Sequence, residues 1–146
     1  MIPGKILFCT DFSENSDPAR QYAVEYAKAF GATLFIVHVV DNLSGFPSEA
    51  AGFHRHLTEI LAQMEEAANE QLRQVAKECT DGVEDVKAFS RTGIPAQEIV
   101  KLADEESVDL IVMGTHGWTG IRHILLGSVA ERVLKKTKCP VLVVRS

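Results

Sequence analysis

Apolar residues along this chain follow two rhythms that alternate from one end to the other. Short runs at Lys5 to Thr10 (KILFCT), Thr33 to Val40 (TLFIVHVV), Leu110 to Met113 (LIVM) and Val141 to Val144 (VLVV) are apolar nearly throughout. All four read as strands, and Thr33 to Val40, β-branched and aromatic, suits one covered on both faces, as in a parallel sheet. Val83 to Ser90 alternates apolar and polar residues and carries Glu84, Asp85 and Lys87, which predicts a third strand at a sheet edge.

Between the strands the period changes to that of a helix. Ala19, Tyr22, Ala23, Tyr26, Ala27 and Phe30 mark one apolar face, preceded by Asn15, Ser16, Asp17 and Pro18 as start chemistry and stopped by Gly31. The segment from Asp41 to Gly52 reads as a loop. Leu57, Leu61, Met64, Ala68, Leu72, Val75 and Cys79 then step by three and four residues, predicting an amphipathic helix of about five or six turns. Gly93 and Pro95 open a third helix with Ile99, Val100, Leu102 and Ala103 inward, and a fourth runs from Ser128 to about Lys136.

The order is βαβαβαβαβ, without internal repeats or low-complexity linkers. Alternating strands and helices predict an α/β fold, a doubly wound parallel sheet with helices on both faces. In such sheets ligands bind beyond the carboxyl ends of the strands, where the winding direction reverses. The polar breaks after the first strand (Asp11) and after the fourth (Gly114) are the two positions expected to flank that crevice.

Composition narrows the function classes. At 146 residues the chain is expected to form one domain, spanning 1–146. A net charge of −5 disfavours nonspecific nucleic-acid binding. No apolar run approaches the ~20 residues that span a bilayer, and the N-terminus does not resemble a signal peptide. Cys9, Cys79 and Cys139 are scattered, without metal-site or disulfide spacing. A cytoplasmic location is the expectation, with no membrane or nucleic-acid partner.

The candidate chemistry lies after the fourth strand. Gly114-x2-Gly117-x9-Gly127-Ser128 empties a strand into a glycine-rich loop, through Gly120, and feeds a helix start. Glycines let backbone N–H groups approach a ligand closely, and the helix start adds unpaired donors and a positive partial charge. The loop carries His116, Arg122 and His123 and no acidic residue, which suits a phosphate. It is neither a P-loop nor a G-x-G-x-x-G fingerprint. Ser128 and Glu131 also spell a capping box, a structural use for that serine. Asp11 is placed to accept hydrogen bonds from a ribose or an adenine amino group, or to serve as a helix-start residue. His38, among Ile36, Val37 and Val39, reads as a satisfied core histidine; His54 and His56 read as solvated helix-start residues. No catalytic constellation or metal-ligating pattern stands out, which leans away from an enzyme.

At these residues the sequence resembles the universal stress protein family, in its nucleotide-binding branch. The resemblance rests on TDFSENS (Thr10 to Ser16), VHVVD (Val37 to Asp41), DLIVMGTHGWTG (Asp109 to Gly120) and LLGSVAERVLKKTKCPVLVV (Leu125 to Val144). The G-x2-G-x9-G-[S/T] spacing is the family's ATP-binding pattern. The resemblance implies an open, Rossmann-like five-stranded parallel sheet in the order 3-2-1-4-5, and a homodimer formed through the last strand, Val141 to Val144. It also implies that Thr10, Asp11, Val39 and Met113 hold the adenine and ribose end, and that Gly114, His116, Gly117, Gly127, Ser128 and Val129 wrap the phosphates. Cys9 joins the adenine end as a departure, because nucleotide-binding members often carry proline there.

The function so implied is an ATP- or AMP-binding regulatory protein of the stress response, with at most weak ATPase activity and a further protein partner. Mg²⁺ would accompany ATP. Two alternatives stand beside it: an adenylating enzyme of the same superfamily, and a ligand-free interaction protein.

Overall fold

Four of the five residues of the first strand, β1 (Lys5–Cys9), are buried, all but Lys5 at its entry, because the sheet is covered on both sides. Ile6 and Phe8 point to one core layer, Leu7 and Cys9 to the other. This is the period-two alternation of a strand expressed with apolar residues on both faces. The computed structural model describes residues 1–42, 51–117 and 125–146, with the side chains of 51–54 outside the description.

The remaining elements are α1 (Asp17–Phe30), β2 (Thr33–Asp41), α2 (Ala51–Glu78), β3 (Val86–Gly93), α3 (Pro95–Glu105), β4 (Leu110–Gly114), α4 (Ser128–Lys136) and β5 (Val141–Val144). All strand pairs are parallel, in the order β3-β2-β1-β4-β5. Helices α1 and α2 bury Ala19, Ala23, Ala27 and Leu72 against one face of the sheet. Helices α3 and α4 bury Ile99, Leu102, Ala130 and Val133 against the other. The doubly wound α/β sheet in the order 3-2-1-4-5 is thus the architecture of this chain.

The helix signals hold at most boundaries. Gly31 caps α1 in the left-handed region (φ 62, ψ 34) and donates to the Ala27 and Lys28 carbonyls. Pro95 sits in the first turn of α3, where its missing N–H costs nothing. Helix α1 is preceded by a 3-10 turn at Glu14–Ser16.

Two boundaries move. Helix α2 is 28 residues long and begins at Ala51 rather than at the start of the apolar stripe. Arg55 and His56 in its early turns are exposed and need no core face, so periodicity does not report them; the rest of the expected loop, 43–50, lies outside the described residues. Strand β3 runs over Val86–Gly93 rather than from Val83, which is buried in a turn whose N–H donates to the Thr80 carbonyl. The capping box does not form. Gly127 occupies the N-cap, Ser128 is the first helical residue, and the Glu131 carboxylate pairs forward with Lys135 at 2.8 Å. The pair is one residue out of register for the motif, which needs its serine at the cap.

At the end of the sheet away from the switch point, the Asp109 carboxylate accepts the N–H groups of Gly4 and Lys5, each at 2.9 Å. That pins the entry of β1 to the entry of β4. Both strands therefore deliver their carboxyl ends side by side.

Candidate functional site

Where β1 and β4 end, the chain leaves in opposite directions, and a cleft of about 460 Å³ opens between them. That size falls within the about 300–1,000 Å³ usual for small-molecule sites. Cys9, Thr10, Asp11, Val39, Met113, Gly114, His116, Gly117, Gly127, Ser128 and Val129, the site residues expected from the sequence, all line it. Gly120, Arg122 and His123 lie outside the described residues, as does the side chain of His54.

One wall is the segment after β1. Asp11 Oδ1 accepts the Ser13 N–H at 2.9 Å and the Ser13 hydroxyl at 2.5 Å. The Phe12 N–H donates to Thr10 Oγ1 at 3.0 Å, and the Ser16 hydroxyl to the Ser13 carbonyl at 2.8 Å. Between them Phe12 takes a left-handed backbone, φ 66, a conformation that costs a non-glycine residue about 1–2 kcal/mol. These local bonds hold that turn.

The opposite wall passes close to its surroundings at three glycines. A Cβ on Gly127 would lie 2.8 Å from the Thr115 carbonyl oxygen, which already accepts the Gly127 N–H at 2.6 Å. A Cβ on Gly117 would meet Asp11 Oδ2 at 2.5 Å, and one on Gly114 the Asn15 carbonyl at 3.1 Å. Asn15 Nδ2 donates to the Gly117 carbonyl at 2.8 Å, which ties the segment after β1 to the segment after β4. The start of α4 faces the cleft through Ser128, Val129 and Ala130, and the first N–H groups of a helix have no partner within it.

The floor is apolar, with Val37, Val39, Ile99 and Met113 between the two polar walls. Cys9 belongs to it chemically: burial pushes its thiol well above the usual range, with Cys139 adding to the effect. It is therefore a small neutral side chain at the base of the cleft. His116 Nδ1 lies 3.0 Å from Thr115 Oγ1, on the glycine side. The arrangement fits an adenine nucleotide: an apolar slot for a flat ring, a carboxylate beside it, and a side-chain-free cradle at a helix N-terminus for phosphate.

Ser16, Val37, His38, Asp41, Pro95, Ile99, Thr115 and Ala130 also line the cleft without having been expected there. Pro95 and Ile99 come from α3, whose first turn closes over the slot, and no local pattern announces that. His38 is satisfied, as its position in an apolar run suggested, yet it is half-buried against the cleft rather than enclosed in the core.

Among the described residues no helix is long and apolar enough to cross a membrane, and no group of three or more His, Cys, Asp or Glu is placed to hold a metal ion.

Known proteins with these features were found by sequence and by structure. The family model for the universal stress protein family matches residues 3–145. The chain is 42% identical over 143 residues to universal stress protein MJ0531 of Methanocaldococcus jannaschii, covering 97% of this chain and 81% of that protein. Its structure is similar to that of MJ0577 from the same organism, whose biochemical function was assigned from structure (TM-score 0.82, 37% identity, 100% of this chain and 98% of that one). It is also similar to a universal stress protein solved in complex with cAMP (TM-score 0.69, 26% identity, 99% and 98% covered). With a match running from residue 3 to residue 145 and a relative above two-fifths identity over that span, this chain belongs to the universal stress protein family.

Proposed function

We propose that the cleft binds an adenine nucleotide, ATP or AMP, and that the 146 residues act as one nucleotide-binding domain of a regulatory, stress-response protein. The observation that carries the reading is the pairing of opposite walls. Asp11 at the end of β1 faces Gly117 and the start of α4, so that one ligand with a hydrogen-bonding ring and sugar and an anionic tail spans both. In this reading Cys9, Thr10, Asp11, Val39 and Met113 contact the nucleoside end. Gly114, His116, Gly117, Gly127, Ser128 and Val129 contact the phosphates, with Mg²⁺ accompanying ATP through phosphate oxygens. The relative solved with cAMP supports an adenine nucleotide as the ligand class.

The same reading makes the protein a cytoplasmic homodimer joined through β5. What supports the dimer is position: β5 ends the sheet, and its residues Val141–Val144 are all apolar. An edge strand leaves a row of backbone groups unpaired within its own sheet and is a template for pairing with another chain.

Native mass spectrometry of the gently purified protein, followed by calorimetry with ATP, AMP and cAMP, tests the nucleotide. A co-purifying nucleotide and saturable binding that Gly127→Val removes are the expected results. Equal affinity of the two proteins, or none in the native one, overturns the reading.

A further inference from the structure

The wall that carries Asp11 is only one loop thick. Behind it, on the α1 and α2 side of the sheet, lies a second cavity of about 300 Å³, and Thr10 and Ser16 line both this hollow and the cleft. On that side only the Phe12 ring of this segment packs against the apolar core, while Thr10, Ser13 and Ser16 border the hollow. Beyond that contact the wall depends on specific bonds: the Thr10 N–H donates to the Val37 carbonyl at 3.0 Å, and most of the others are internal to the loop.

His38 supplies a side-chain bond from outside it. Its Nδ1 lies 2.9 Å from the Thr10 carbonyl oxygen. A carbonyl only accepts, so Nδ1 carries the proton and donates. The same ring stacks on Phe12, centroids 4.1 Å apart and planes 27° from parallel. One side chain thus grips the residue before Asp11 by a hydrogen bond and the residue after it by ring contact. The residue after it is the one in the strained left-handed conformation. Asn15 ties the far end of the loop to Gly117.

We infer that His38 is a positioning residue of the ligand site, holding the segment Thr10–Asp11–Phe12 so that the Asp11 carboxylate faces Gly117. It acts through Asp11 rather than by contact with phosphate. The inference rests on the nucleotide reading for its effect on affinity, but not for its effect on the loop.

The specific atom gives the test. In His38→Asn the side-chain amide nitrogen occupies the branch that Nδ1 occupies, whereas in His38→Gln it lies one bond further out. In His38→Leu no donor remains. Nucleotide affinity is expected to fall about ten-fold in the Leu and Gln variants, which lose both the bond and the ring contact, and by about three-fold in the Asn variant, which keeps the bond and loses the ring contact. Melting temperatures confirm that each variant is folded. Amide hydrogen exchange without nucleotide is the independent arm: the Phe12 and Ser13 N–H groups, bonded to Thr10 Oγ1 and Asp11 Oδ1, should exchange fastest in the Leu variant and at a rate between native and Leu in the Asn variant. Native-like exchange in the Leu variant, or equal loss in Asn and Leu, overturns the positioning role. Absence of nucleotide binding in the native protein with the exchange pattern intact overturns the nucleotide reading and leaves the positioning role standing.

Discussion

Asp11 and Gly117 are fitted to one another across the cleft: a methyl group on Gly117 would lie 2.5 Å from Asp11 Oδ2. Non-bonded carbon and oxygen do not approach that closely, so the glycine leaves the space that the carboxylate, held by Ser13, occupies. Gly117→Ala therefore displaces the Asp11 carboxylate. Nucleotide affinity is expected to fall about ten-fold in Gly117→Ala and by a similar factor in Asp11→Ala, with the double variant no worse than either, because the two changes remove one arrangement. Calorimetric titration of the four proteins gives the cycle, and strict additivity would refute the coupling.

Gly127 and Gly31 separate close approach from backbone conformation. At Gly127 a Cβ would press on the backbone oxygen of Thr115, while its own φ of −70 is open to any residue. At Gly31 a Cβ would meet nothing within 4 Å, but φ is +62. Gly31→Ala should lower stability by about 1 kcal/mol in urea unfolding and leave nucleotide affinity unchanged. Gly127→Ala should cost about 1–3 kcal/mol and also weaken nucleotide binding at least ten-fold, because the loop must shift to admit the methyl group.

Why the cleft was legible in the sequence follows from these glycines. A strand running into Gly114, Gly117 and Gly127 states where backbone must pass close to something, and Asp11 at the end of β1 states which strand faces it. Local pattern stops being informative where long-range packing decides. Pro95 and Ile99 line the cleft only because the right-handed crossover lays α3 over it. His38 carries the signature of a core histidine, and its bond to Thr10 depends on the parallel register that sets Cys9 beside Val37. Ser128 misled in the other direction: the S-x-x-E pattern is present, but the helix takes its cap from Gly127.

Protonation of His38 should be visible in the stability of the fold. Burial lowers its pKa below the ordinary 6.5, partly offset by its bond to Thr10 and by the Asp11 carboxylate. The unfolded chain therefore takes up the proton first, so stability is level above about pH 6.5 and declines as pH falls from there towards the folded-state value. Glu70 and Glu131 are held below their ordinary 4.5, by Arg73 and Lys135, so their contribution is lost only at more acid pH. Urea unfolding between pH 7.5 and 5 should show native stability falling relative to His38→Asn. A constant difference across that range would contradict it.

The three thiols should be unreactive in the native state. Burial pushes Cys9, Cys79 and Cys139 all upward, so each is protonated near neutral pH, and the thiolate is the nucleophile. Cys9 and Cys79 are buried, whereas Cys139 is partly exposed, its Sγ directed at the Val108 carbonyl at 3.3 Å. Iodoacetamide at pH 8, followed by mass spectrometry, should label Cys139 first and slowly, and all three rapidly in denaturant. Fast native labelling of Cys9 would show that the base of the cleft opens.

The proposed pairing through β5 gives the protein an oligomeric state that one side chain should control. Val143 lies in the middle of that edge strand, is partly exposed, and packs into neither core layer. Replacing it with glutamate leaves both layers intact but sets like charges near one another across a two-fold pairing of edge strands, where facing charges of one sign oppose association. Sedimentation equilibrium should find the native protein as a dimer and Val143→Glu as a monomer with an unchanged far-ultraviolet circular dichroism spectrum. Because Gly114, the last residue of β4, pairs with Val144, the site's own strand is hydrogen-bonded to the edge strand, and Thr115 donates its N–H to the Val144 carbonyl at 3.0 Å. Loss of the dimer should therefore also loosen the Thr115 and Gly127 backbone, and the monomeric variant should bind nucleotide more weakly than the native dimer. A dimer that survives Val143→Glu would place the interface elsewhere, and a monomer with native affinity would separate assembly from ligand binding.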